Sequence, residues 1–87
     1  MATAPQKTVE RLSVYRRLLV ALARDGRRYL HSQDLATLSG FSASQVRRDL
    51  MLVGYTGIPA RGYSAEGLAE AIGALLDGPE PEAAALV

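Results

Sequence analysis

The chain contains no cysteine. A disulfide framework, a thiolate metal site and a cysteine nucleophile are therefore excluded, and the composition fits a reducing compartment. It has a single histidine, His31. One imidazole without a thiol or a second histidine gives a metal ion almost nothing to bind, so His31 reads as a surface or strand-edge residue. No apolar run approaches the roughly 20 residues that span a bilayer. The opening residues, MATAPQKTVER, lack the apolar core of a signal peptide. No glycine loop of the phosphate-cradling kind precedes a helix, and no convincing pair of acids stands out, so an enzyme is the poorest reading.

What is present is one small domain. Eighty-seven residues lie near the size at which a single core becomes marginal. Apolar residues make up 48%, ordinary for a globular chain. The charge is unevenly spread. Residues 1–61 hold all ten Lys and Arg against four acids (Glu10, Asp25, Asp34, Asp49), whereas residues 62–87 hold five acids and no Lys or Arg. Such asymmetry suggests a part that faces a polyanion and an acidic part that faces elsewhere.

Residues 1–7 form a polar start, expected to fray. Thr8 can cap a helix running to about Asp25, with Leu12, Tyr15, Leu19 and Leu22 recurring at spacings of three and four and Leu18 widening the stripe. Gly26 ends it. Arg11, Arg16, Arg17 and Arg24 decorate its other faces and read as solvated helix charges. Residues 27–31 read as a short extended segment. Ser32 is a second cap candidate, with Asp34 in the first turn, where the helix dipole favours an anion. Leu35, Ala36 and Leu38 give that helix a short buried face, and Ser39-Gly40-Phe41 breaks it.

The next stretch, FSASQVRRDLMLVG, is the most informative. Ser42 and Gln45 form the S-x-x-Q version of a capping box, in which each side chain satisfies a backbone N–H. At 100° per residue Val46, Leu50 and Val53 share one stripe, and Ser44, Arg47, Arg48 and Met51 share the opposite one. Gly54 follows the last periodic residue, where a left-handed cap is expected. Two short helices joined by a glycine turn make a helix-turn-helix; a plain helical hairpin in a bundle is the alternative. The outer face of the second helix suits a major groove. Arg reads guanine, Gln reads adenine, and Ser or Arg holds phosphate.

Residues 54–63 carry three glycines and a proline, which forbids a helix and predicts a tight hairpin, the wing of a winged helix. Arg61 on that loop can enter a minor groove or grip phosphate. Tyr63 either donates to phosphate or packs the wing onto the core. Ser64 caps a last helix with Leu68, Ile72, Leu75 and Leu76 on its apolar face, stopped by Gly78-Pro79. The reading is mainly α with a small β-wing: a winged helix-turn-helix with a three-helix core, a Gly-rich hairpin wing and a C-terminal helix over residues 8–77. Residues 78–87 read as a stiff acidic linker followed by the opening of a strand that belongs to a further domain.

The series RLSVYRRLL, SQDLATLSG, SASQVRRDL and a Gly-rich segment closing in RGY resembles the N-terminal winged-helix domain of the Rex family, bacterial redox-sensing transcriptional repressors. The resemblance covers about residues 8–77, and Gln45 to Leu50 is its most specific piece. It implies a cytoplasmic homodimer in the full-length protein, bound to double-stranded DNA at a palindromic operator when the NADH/NAD⁺ ratio is low. It also implies that NADH, bound to a Rossmann domain following this one, releases it. No cofactor site is expected within residues 1–87. The resemblance places Arg47 and Arg48 on the family's recognition-helix pair, and Arg17 on a first-helix basic position that ties this domain to the sensor domain. The family's wing carries its basic residue four before the tyrosine, whereas Arg61 stands two before Tyr63.

Two readings of different class follow. In the first, Ser42, Ser44, Gln45, Arg47, Arg48, Arg61 and Tyr63 contact DNA. In the second, the same winged helix docks an acidic protein partner without reading sequence.

Overall fold

The computed structural model describes residues 6–58 and 60–77. The proposed linker and strand start at 78–87, and the first five residues of the polar start, lie outside them. The elements in order are α1 (Gln6–Arg24), β1 (Tyr29–Leu30), α2 (Ser32–Ser39), α3 (Ala43–Val53), β2 (Tyr63–Ser64) and α4 (Ala65–Asp77). The architecture is mainly α with a minimal β component, a winged helix-turn-helix.

The apolar stripe of α1 builds the core. Leu12, Tyr15 and Leu19 are fully buried, with Leu18 and Leu22 packed at its margin. The helix begins two residues before Thr8, so Thr8 is not its cap. Thr8 continues the stripe one turn back from Leu12, is buried, and accepts a hydrogen bond from Arg11 Nη2 at 3.1 Å. At the other end the Gly26 N–H donates to Ala23 and the Arg27 N–H to Leu22, closing the last turn with a glycine in the left-handed region.

The extended segment before α2 forms β1. It pairs antiparallel with β2, Leu30 opposite Tyr63 and Tyr29 opposite Ser64. Strand geometry continues into His31, which therefore takes the N-cap position expected of Ser32. Asp34 reaches back from α2 to accept from the His31 N–H at 2.8 Å. Leu35 and Ala36 are buried on α2, but Leu38 is 49% exposed, because eight residues give the helix room for only a narrow inner face. Gly40 then turns the chain at φ 84°, and its N–H closes on Ala36 O. Phe41, just beyond, sets its ring edge-on to Tyr15, with centroids 5.9 Å apart. That contact docks the turn onto α1.

The segment after α3 differs from the expected hairpin. Its rising arm forms no strand, and its only pairing among the described residues is the single bridge between Ile58 and Gly62. The descending arm pairs instead with β1, which offers the buried Leu30 as an anchor. The Ser64 hydroxyl accepts from the Gly67 N–H at 3.1 Å and caps α4, as expected. The buried face of α4 is Ala65, Leu68, Ala69, Ile72 and Gly73. Leu76 packs at the edge, and Leu75 is 43% exposed, off the buried face of α4. The small residues on this face let α4 lie close along α1: a methyl placed on Gly73 would stand 3.2 Å from the Arg16 guanidinium carbon.

Candidate nucleic-acid interface

Helix α3 is capped by Ser42, whose hydroxyl oxygen accepts from the Gln45 N–H at 3.1 Å. Val46 and Leu50 bury its inner stripe in the core, where α3 packs on α2 and α4. The outer face carries Ser44, Arg47, Arg48 and Met51, all exposed, with Met51 80% exposed at the centre. Among the described residues neither Arg47 nor Arg48 makes a salt bridge or a side-chain hydrogen bond. Both guanidinium groups are available to a polyanion.

The inner edge of α3 holds a feature that the spacing of residues does not announce. Asp49 is 3% exposed and lies on the buried stripe between Val46 and Leu50. Its carboxylate accepts from Arg11 Nε at 2.8 Å and Arg11 Nη2 at 3.1 Å, a fork from α1. The Tyr15 hydroxyl donates to it at 2.6 Å, and Gln45 Nε2 at 3.1 Å. Burial alone would raise the pKa of this carboxyl, but the hydrogen bonds from Arg11, Tyr15 and Gln45 outweigh burial and hold it below the usual range. The Tyr15 phenol shifts upward, through burial and then through its bond to Asp49. The Arg11 guanidinium is also raised, chiefly by its hydrogen bond to the same carboxylate.

This network changes two sequence-based expectations. Arg11 is a clamp between helices rather than a solvated charge. Gln45 does not complete the reciprocal half of a capping box, because its amide is bonded to Asp49. The physical reason is the stronger partner: the Gln45 amide N–H donates to an ionised, desolvated carboxylate one turn along, which holds the side chain away from the Ser42 N–H that its carbonyl oxygen would otherwise accept from.

On the wing, Arg61 is held against β1. Its guanidinium lies over the Tyr29 ring, 5.5 Å from the centroid, with Nη1 3.4 Å from the Tyr29 hydroxyl. Gly62 follows at φ 93°, where a Cβ would stand 2.5 Å from Leu30 O and 2.8 Å from His31 Nδ1. Tyr63 sits on β2, half-buried, its ring 6.3 Å from that of Tyr55. Arg17 is exposed on α1, roughly 160° round the helix from Tyr15 at 100° per residue, on a face not shared with α3. It borders a shallow groove with Ser13, Val20, Arg24 and Leu76. The structure thus gathers Ser42, Ser44, Gln45, Arg47 and Arg48 on one helix, sets Arg61 and Tyr63 on the wing, and leaves Arg17 apart.

A protein-family model described as "Putative DNA-binding protein N-terminus" matches residues 3–50. The redox-sensing transcriptional repressor Rex of Maridesulfovibrio salexigens is 39% identical over 59 residues, which cover 68% of this chain and 28% of that protein. Rex of Carboxydothermus hydrogenoformans is 41% identical over 64 residues, covering 74% of this chain and 31% of that protein. A crystal structure of RSP in complex with beta-NAD⁺ and operator DNA is similar at a TM-score of 0.73 and 29% identity, over 83% of this chain and 33% of that one. Another structure of RSP, described as a Rex-family repressor, matches at a TM-score of 0.72 over 88% of this chain.

The chain belongs to the Rex family.

It spans 28–31% of the length of the Rex relatives it matches and corresponds to their N-terminal DNA-binding domain. The stretch shared with the family model takes in Arg11, Tyr15, Gln45, Arg47, Arg48 and Asp49, and ends before Arg61 and Tyr63. Within this Rex domain, sequence reading missed Asp49 and Arg11 as a pair. The available signal was a charged residue on the apolar stripe of α3, in register with Val46 and Val53. Among the described residues no group of three or more His, Asp or Glu comes together to hold a metal ion, and no helix is long and apolar enough to cross a membrane.

Proposed function

We propose that this chain binds double-stranded DNA in a sequence-dependent manner, with α3 in the major groove and the wing at the flanking backbone. The supporting observation is the pair Arg47 and Arg48, exposed and without protein partners on a helix whose opposite edge is anchored to α1. Arg48, Arg47 and Ser44 meet base edges and phosphates, and Met51 offers an apolar tip to a thymine methyl. Ser42 at the helix start and Arg61 on the wing meet phosphate, Arg61 reaching toward the minor groove. Tyr63 supports the arm that carries Arg61. Gln45 works from the inner edge, its amide orientation set by Asp49.

The likeness to a structure holding operator DNA and beta-NAD⁺ supports a wider reading. In it this domain is the DNA-binding part of a cytoplasmic, homodimeric redox-sensing repressor on a palindromic operator. NADH or NAD⁺ would act elsewhere in that protein. The residues described here supply no glycine-rich turn between a strand and a helix to cradle a pyrophosphate, so no step is assigned to them in nucleotide binding. Arg17, on a face that α3 does not share, would contact the sensor part.

The test is a titration of the chain with a duplex that it selects from a random-sequence pool, repeated across salt concentrations. The expected result is an affinity that falls linearly with salt on logarithmic axes, by about 0.9 in slope per phosphate contact. Absence of duplex binding even after artificial dimerisation would overturn the reading in favour of a protein-docking module.

A further inference from the structure

We propose that Asp49 is a positioning residue for DNA recognition: with Arg11 and Tyr15 it sets the roll of α3 about its own axis, and so the direction in which Arg47 and Arg48 project. The inference rests on the DNA-binding reading above.

The apolar contacts of Val46 and Leu50 hold α3 against the core but fix its roll less sharply than hydrogen bonds do. A roll of roughly 20° moves a side-chain atom roughly 6 Å from the axis by about 2 Å, enough to break any hydrogen bond to a base edge. Directional bonds narrow that roll. Asp49 receives three of them from α1, two in the Arg11 fork and one from Tyr15, and the fourth comes from Gln45 on its own helix. The carboxylate stands next in sequence to Arg48, so its anchorage passes to the reading face through one rigid helical turn. Tyr15 is itself held by the edge-on ring of Phe41 in the turn, which ties α1, the turn and α3 into one unit.

A buried ion pair is a poor device for stability alone, since an apolar pair of similar volume often serves as well. Its directionality is what an apolar pair cannot reproduce. The test therefore separates the two roles. Arg11→Met and Asp49→Met are combined in one chain, and two properties are measured: the thermal unfolding midpoint, and the ratio of affinities for the selected duplex and a scrambled one.

The expected result is a folded double variant, its midpoint lowered because Tyr15 loses its acceptor, with the affinity ratio reduced about tenfold or more. Binding to the scrambled duplex keeps its salt slope. A folded double variant with its ratio within about twofold of wild type overturns the proposal. Should the double variant fail to fold, Tyr15→Phe removes one directional bond and little volume. A ratio reduced about threefold or more then supports the clamp, and an unchanged ratio overturns it. Failure of the wild-type chain itself to bind any duplex defeats the DNA-binding reading, and the clamp with it.

Discussion

Arg11 and Arg48 are chemically identical, yet the first is forked onto a buried carboxylate and the second has no partner among the described residues. That difference assigns one to architecture and the other to recognition. Replacing Arg48 with alanine is expected to weaken binding to the selected duplex by about 1–3 kcal/mol and to relax discrimination against the scrambled one. Fluorescence anisotropy with both duplexes checks it, and equal losses would make Arg48 a phosphate contact instead. Gly62 is the other decisive single residue. At φ 93°, with Leu30 O 2.5 Å from the place of a Cβ, it has room for no side chain. Gly62→Ala is expected to cost about 1–3 kcal/mol of stability in urea titration and to displace the loop that carries Arg61.

At the scale of the element, α3 is anchored by its cap and by Asp49. Ser42→Ala removes the acceptor for the Gln45 N–H and is expected to cost about 1 kcal/mol. Asp49→Ala is expected to cost more, about 2–4 kcal/mol, since it strips four hydrogen bonds and leaves Tyr15 buried without its acceptor. Comparing the two by chemical denaturation ranks cap against clamp. The amphipathic period, the cap and the closing glycine of α3 were legible in the sequence because each depends on residues within about one turn. The direction taken by the Gln45 amide was not legible. A backbone N–H at the helix start and a carboxylate one turn along competed for it, and the winner depended on a carboxylate whose ionised, desolvated state is created by α1. The wing shows the same limit: three glycines and a proline marked the turn, but β1 supplied the strand partner.

At the scale of the whole molecule, the clamp makes stability depend on pH at both ends. The Asp49 pKa is lowered on folding, so its contribution is present above the ordinary aspartate value of about 4 and is lost as pH falls through the lower folded value. The Tyr15 pKa is raised, so its contribution is complete below about 10 and is lost as pH climbs through the higher folded value. Urea midpoints measured from acid to alkali are expected to show a plateau between these limits. Asp49→Asn is expected to flatten the acid side. The sequence by itself determined the helices, the glycine turn and the concentration of cations ahead of residue 62, because period, capping and composition are properties of neighbouring residues. Tertiary structure alone decided which arginines turn inward and which face outward. That choice rests on a carboxylate 38 residues from Arg11 and 34 from Tyr15, brought within hydrogen-bond reach only when α1 and α3 pack.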